Sequence, residues 1–260
     1  MKQALSIKLA ANLIALALGA TSLASLAADA GQGGGQGGES RPIDATVNRV
    51  VLNGIASLEL HYGPTAALVV HAKPGEGRQV VTEQHGDTLE ISTEGYMHSA
   101  HVSIDLTLPA LREFFSNGTG AAQLSGFSGD QLILNSTGTG KIDLSAHYKH
   151  LVARSSGVAG MTIDDGDSDS VELSLPGAGH VMLSGQTKSF TGRLDGVGSV
   201  DAASLRADTV NAYLNGVGSV KVYAKQTANI YLHGVGSATV YGNPATRNAQ
   251  VSGFGKINWE

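Results

Sequence analysis

Gly196-Val197-Gly198, Gly216-Val217-Gly218 and Gly234-Val235-Gly236 open three stretches that continue almost alike. They run on as Ser199-Val200-Asp201-Ala202, Ser219-Val220-Lys221-Val222 and Ser237-Ala238-Thr239-Val240. The same step occurs at Gly118-Thr119-Gly120, Gly138-Thr139-Gly140, Gly157-Val158-Ala159, Gly177-Ala178-Gly179 and Gly253-Phe254-Gly255, with first glycines 18 to 20 residues apart. A fixed period of that size marks stacked repeats, and it outranks any local motif in deciding the fold.

The second and fourth residues after each step are apolar throughout, from Ala122 and Leu124 to Ile257 and Trp259. The residues between them are mostly small or polar, as in Lys141 and Asp143 or Ser219 and Lys221. That period of two predicts a half-buried strand leaving each step. A second strand enters it, because Leu175, Leu194, Leu214, Leu232 and Val251 all stand two residues before a first glycine. Glycine suits the corner between the two strands, since it accepts backbone angles closed to other residues and lets neighbouring chain come close.

One such unit cannot bury its apolar face alone, whereas stacked units bury a continuous core. The expected fold is therefore all-β: a β-helix-like solenoid of rungs about 19 residues long with Gly-x-Gly corners. An antiparallel β-sandwich is the rival, because short strands with frequent turns also suggest it. It does not call for near-identical corners at one period.

Residues 1–28 read as a secretory signal peptide. Lys2 and Lys8 give the basic start, Leu9 to Leu18 the apolar stretch, and Ser25-Leu26-Ala27-Ala28 the small-residue exit. The apolar stretch is shorter than the ~20 residues of a spanning helix, and no other segment is a transmembrane candidate. Residues 29–42, with Gly31-Gln32-Gly33-Gly34-Gly35-Gln36-Gly37-Gly38, are expected to be a flexible linker. Residues 43–116 are expected to supply irregular N-terminal β rungs and 117–260 the regular repeats, the two forming one domain. With no cysteine there is neither a disulfide nor a lipid-anchored thiol. Removing the two leader lysines leaves 15 basic against 22 acidic side chains, a net charge of −7, which argues against nucleic acid as a partner.

Leu106-Thr107-Leu108-Pro109-Ala110-Leu111 leading to Ser116-Asn117-Gly118-Thr119-Gly120, the serial corners, and Val240-Tyr241-Gly242-Asn243-Pro244 near the end carry a resemblance. From about Val47 onward the chain resembles the auto-transporter adhesin head domain, or GIN domain. That resemblance implies an exported bacterial β-helix-like protein of the periplasm, outer surface or medium, and it brings no catalytic residues with it. The chain departs from the common Gly-Ser-Gly corner, placing Val or Thr between the glycines.

Three constellations invite chemistry. The acidic run Asp164-Asp165-Gly166-Asp167-Ser168-Asp169 has the composition of a calcium loop. It lacks the distant bidentate Glu, so it reads as a solvated loop between strands. The pairs His98/His101 and His147/His150 have spacings that place each pair on opposite strand faces, so no metal site is expected. The acids Asp143, Glu172, Asp195, Asp201 and Asp208 fall at different repeat positions, which does not suit the convergent carboxylates of a polysaccharide-cleaving enzyme.

One outward column remains, three residues before each first glycine: Phe115, Asn135, Arg154, Ser174, Arg193, Tyr213, Tyr231 and Gln250. Tyr213 and Tyr231, with Arg193 one rung away, are the candidate binding residues. They form either a sugar platform or a structural ladder. The expected function is non-catalytic, an adhesin-like recognition or scaffold module without cofactor, whose partner is glycan or another envelope component. Two alternatives stand beside it: a β-helix enzyme acting on polysaccharide, and a self-assembling structural protein of the envelope.

Overall fold

A computed structural model describes residues 38–72, 79–94 and 102–260. The expected leader, most of the expected linker and the His98/His101 pair lie outside the described residues. Every regular element among the described residues is a strand, and the strands stack as a β-solenoid of about seven turns.

The regular part consists of β9 (Ala122–Ser136), β10 (Ile142–Ser155), β11 (Val158–Leu175), β12 (Ala178–Leu194), β13 (Val197–Leu214) and β14 (Val217–Leu232). Each runs from one corner to the next and pairs in parallel with its predecessor and successor. The following turn is divided between β15 (Val235–Tyr241) and β16 (Thr246–Val251), and β17 (Phe254–Trp259) completes the stack.

The register sets like beside like. Val200 pairs with Val220 and Val220 with Ala238; Ala202, Val222 and Val240 follow in the next inward column. Leu214 and Val222 are buried, whereas the Lys221 side chain is half exposed. This is the inside–outside assignment that the period of two demands, and the stacked columns form one continuous apolar core.

At the corners the stacking leaves no room for a side chain. A Cβ on Gly218 would lie 1.7 Å from the carbonyl oxygen of Gly198 in the preceding rung, and one on Gly216 would lie 1.8 Å from that of Gly196. Gly218 also has φ +153°, which L-residues rarely adopt. The periodic glycines are thus required by contact between rungs.

The early strands are β1 (Gly38–Arg41), β2 (Arg49–Leu52), β3 (Ser57–Tyr62), β4 (Ala67–His71), β5 (Val80–His85), β6 (Thr88–Thr93), β7 (Ser103–Leu108) and β8 (Glu113–Ser116). They supply rungs as expected, but their order in space is not their order in the chain. The turn made by β2 and β3 lies between β6 and β7 on one side and β8 and β9 on the other. Beyond it the direction reverses, with β5 antiparallel to β6, β4 to β7 and β1 to β4. The reversal finishes the first edge with short strands bearing charge, such as Glu39, Arg41 and Glu83, which blunts pairing with other chains. It also corrects the expected start of the folded region. Gly38–Arg41 is a paired strand rather than linker, held further by Arg41 Nη1 donating to the Val80 carbonyl at 2.5 Å.

Candidate binding face and surface columns

The strand segments entering the corners form one sheet of the solenoid. Inward residues such as Val210, Ala212 and Leu214 anchor each strand, so the residues between them must face out. On the last three turns these are Thr209, Asn211 and Tyr213, then Thr227, Asn229 and Tyr231, then Thr246, Asn248 and Gln250. Parallel register puts like residues side by side, giving a Thr row, an Asn row and a Tyr–Tyr–Gln row at right angles to the strands.

The full column expected three residues before the glycines is present, from Phe115 through Asn135, Arg154, Ser174, Arg193, Tyr213 and Tyr231 to Gln250. Tyr213 and Tyr231 stack with centroids 4.9 Å apart and planes 6° from parallel. The Arg193 guanidinium sits 4.2 Å from the Tyr213 ring centroid. The ring face of Tyr213 towards Tyr231 and its face towards Arg193 are both occupied within the protein. What the pair offers outward is ring edges, two phenol hydroxyls and a guanidinium.

The Asn row went unread in the sequence. Asn229 Nδ2 donates to Asn211 Oδ1 at 2.8 Å, and Asn248 Nδ2 donates to Asn229 Oδ1 at 2.7 Å. The signal was available, because each Asn stands five residues before a first glycine in three successive repeats. A similar ladder crosses the corners, with Asn215 Nδ2 donating to Asp195 Oδ1 at 2.6 Å and Asn117 Nδ2 to Asn53 Oδ1 at 2.9 Å.

Between the glycines the middle residues align in a second column: Val158, Ala178, Val197, Val217, Val235 and Phe254. The valines are about half exposed or more, and Phe254 is 84% exposed, so the corner edge is an apolar ridge.

The acidic run is not the solvated loop expected of it. β11 continues through it, and Asp165 turns into the core, where it accepts from the Tyr148 backbone N–H at 3.2 Å. Burial pushes its carboxyl from the ordinary 3.8 up to about 6, against the opposing hydrogen bonds from Tyr148 and Ser168. Its Oδ2 has no hydrogen-bond partner among the described residues. Beside it the buried Tyr148 hydroxyl donates to the Leu111 carbonyl at 2.6 Å, and burial with the Asp165 charge drives that hydroxyl's pKa upward.

The remaining acids stay apart. Asp143 pairs with Lys141, Asp201 with Lys221 and Asp208 with Lys225, while Asp195 belongs to the corner ladder and Glu172 faces solvent. His147 and His150 are exposed, and His150 meets Ser170 at 2.8 Å. His61 stands between Ser125 at 2.7 Å and Glu59 at 3.7 Å, on open sheet. Its carboxylate distance is too long for a hydrogen bond, and water has free access to the group. Among the described residues no three His, Cys, Asp or Glu side chains converge as a metal site.

The molecule is a capped parallel β-solenoid with ordered polar rows on one face and an apolar corner ridge. Residues 47–244 match the family described as "Putative auto-transporter adhesin, head GIN domain", and the chain belongs to that family. Several solved structures share its fold. A putative adhesin from Parabacteroides merdae is 18% identical, with TM-score 0.79, over 86% of this chain and 95% of that one. A putative adhesin from Bacteroides fragilis is 21% identical, with TM-score 0.66, over 87% and 98%. A putative lipid binding protein from Parabacteroides distasonis is 20% identical, with TM-score 0.72, over 86% and 96%. No curated protein sequence matches the chain. No helix among the described residues is long and apolar enough to cross a membrane.

Proposed function

We propose that this chain is an exported, non-catalytic recognition module of the bacterial envelope that binds glycan through its sheet of Thr, Asn and Tyr rows. The observation that carries this reading is the regular array of outward hydroxyl and amide groups around Tyr213, Tyr231 and Arg193. Saccharides are recognised through many weak hydrogen bonds to fixed polar groups beside aromatic rings. The rings stack on each other, so the ligand meets their edges and hydroxyls. The array lies on the outward face of the sheet, where Asn211, Tyr213, Asn229 and Tyr231 stay partly open to solvent, which suits binding. An array of envelope polysaccharides probed with the purified chain tests this, with release of reducing ends measured on every hit. Binding without release is expected. Release of reducing ends, or binding to no member of the array, refutes the reading.

A second reading rests on the corner ridge, where Val197, Val217, Val235 and Phe254 stand exposed in line. Such a ridge is suited to apolar ligands, and one structure of this fold carries the description of a lipid binding protein. Cosedimentation with neutral phosphatidylcholine vesicles, lost on Val197→Ser with Val217→Ser, would favour it; an unbound wild-type chain would eliminate it.

A further inference from the structure

Charge is sorted over the solenoid. Along one edge Asp130, Lys149, Asp169, Lys188, Asp208 and Lys225 alternate in sign on the successive strands β9 to β14. Asp130 meets Lys149 at 2.6 Å, Asp169 meets Lys188 at 2.6 Å and Asp208 meets Lys225 at 3.2 Å. That edge is neutral pair by pair, and its lysines are engaged.

The sheet between that edge and the glycine corners is sorted otherwise. Of its outward residues seven, five and three places before each glycine step, from β9 to β16, Glu172 is the one carboxylate. Two arginines stand there in the column of Tyr213 and Tyr231. Arg154 on β10 and Arg193 on β12 are both exposed, and neither forms an ion pair among the described residues. Asp195, at the corner beside Arg193, accepts instead from Asn215 Nδ2 at 2.6 Å.

Both guanidiniums are held without being used up. Arg193 lies 4.2 Å from the Tyr213 ring centroid. A guanidinium stacked in this way offers its face to the ring, so its in-plane N–H fork stays free for a carboxylate. Arg154 Nη1 donates to Ser174 Oγ at 3.2 Å, which occupies one donor of several. With β11 between them, the two arginines have backbones roughly 10 Å apart at about 4.8 Å per strand. The line joining them crosses the strands at right angles, passes Ser174 and continues to Tyr213 and Tyr231. An extended sugar chain laid along it would advance by a disaccharide from one arginine to the next.

We propose that this column recognises an acidic glycan, with carboxylates on alternate sugars seated on Arg154 and Arg193 and the hydroxyls of the same chain running over Ser174, Tyr213 and Tyr231. The proposal rests on the glycan reading above and fixes the class of sugar. Charge complementarity argues for that class. A sequence of net charge −5 repels polyanions in general, yet here it sets two guanidiniums without counter-ions in line with the candidate rings. A fork-to-carboxylate pair is also stronger than a neutral hydrogen bond to a sugar hydroxyl. Glu172 acts in the opposite direction. It stands on β11, diagonal to both arginines, and its charge weakens the hold on an anionic chain.

Calorimetric titration with oligomers of galacturonate and of mannuronate, each beside its methyl ester, tests the proposal. The ester keeps the sugar chain and removes the charge. An acid form should bind at least about tenfold more tightly than its ester. Arg154→Gln should remove most of that advantage while ester binding and the melting temperature stay as in wild type. Arg193→Lys keeps the charge and the ring contact but loses the fork, and should weaken the acid form several-fold. Glu172→Gln should strengthen it. Lys188→Gln subtracts the same charge from the neighbouring edge and should leave both forms unchanged. Equal affinity for acid and ester would overturn the acidic class and leave the glycan reading standing. Binding of neither acid form, or an effect of Lys188→Gln as large as that of Arg154→Gln, would overturn it too. So would capture on phosphatidylglycerol vesicles that Arg154→Gln abolishes, since the arginines would then serve a lipid surface.

Discussion

Tyr213 and Tyr231 face each other at 4.9 Å, with Arg193 closing the far side of Tyr213 at 4.2 Å. The arrangement separates what the rings do for stability from what they offer a ligand. Tyr213→Ala removes one stacked pair and one guanidinium contact, each worth about 0.5–1.5 kcal/mol, so the melting temperature should fall measurably. Tyr213→Phe with Tyr231→Phe keeps both contacts and deletes only the outward hydroxyls. That pair should melt like wild type yet bind glycan several-fold to tenfold more weakly, as expected for hydrogen bonds of about 1 kcal/mol. Unchanged affinity in the Phe pair, read by calorimetric titration, would remove the rings from the binding face.

Gly218 carries a different kind of necessity. Its Cβ position is filled by the Gly198 carbonyl oxygen, and Gly198 is in turn stacked on Gly179, so no neighbour can yield without unstacking rungs. Gly218→Ala should cost well over 1 kcal/mol of unfolding free energy. Gly86→Ala provides the contrast. Gly86 also has a positive φ, +64°, but nothing lies within 4 Å of its Cβ position, so only the backbone term of roughly 1 kcal/mol applies. Equal shifts of the urea midpoint for the two variants would show that rung contact is not what selects glycine.

Leu214 is buried between Leu194 and Leu232 in the column entering the corner, and truncating it leaves a cavity that neither neighbouring rung can fill. Leu214→Ala should destabilise by about 2–5 kcal/mol. Lys221 reaches Asp201 at 3.6 Å on the exposed side of the same repeat, and Lys221→Ala should change stability by less than about 1 kcal/mol. Chemical denaturation of the two variants checks the inside–outside assignment of every rung at once.

What was legible in the sequence follows from what repeats. The corners, the column ending in Leu214 and Leu232 and the alignment of Tyr213 with Tyr231 all depend on residues at constant distance from a glycine step, and parallel stacking converts constant spacing into contact. The Asn211–Asn229–Asn248 row is equally periodic, but single Asn residues at constant spacing look like ordinary solvated strand positions until stacking joins their amides. The cap was not readable, since placing the β2–β3 turn between later strands requires long-range pairing with no local signal. Ser116, Ser136 and Ser155 show a second limit. They take the buried position that Leu175, Leu194, Leu214 and Leu232 occupy in later rungs, with hydroxyls that find no partner among the described residues, so a polar letter stands where the core runs.

Asp165 was hidden for a related reason, and it carries a pH dependence. The run around it looks like solvated loop, but the pairing register shifts there, between Asp164 and Asp167, and the irregular strand turns the Asp165 carboxyl inward. Its pKa rises from 3.8 to about 6 because burial penalises the charged form, with the neighbouring Asp164 charge adding a little and Tyr148, Ser168 and His147 opposing. A folded-state pKa above the unfolded one means that the proton is held more tightly in the folded chain. The associated stability is fully present below pH 3.8 and is lost as pH rises through about 6, a displacement corresponding to on the order of 3 kcal/mol. Asp165→Asn keeps an oxygen to accept from the Tyr148 N–H and cannot ionise. Its melting temperature should exceed that of wild type at pH 7.5 and match it near pH 4, with the gap opening between those values. Thermal melts of both proteins across pH 4 to 8 test this, and a difference that stays constant with pH would mean that Asp165 does not titrate in the core.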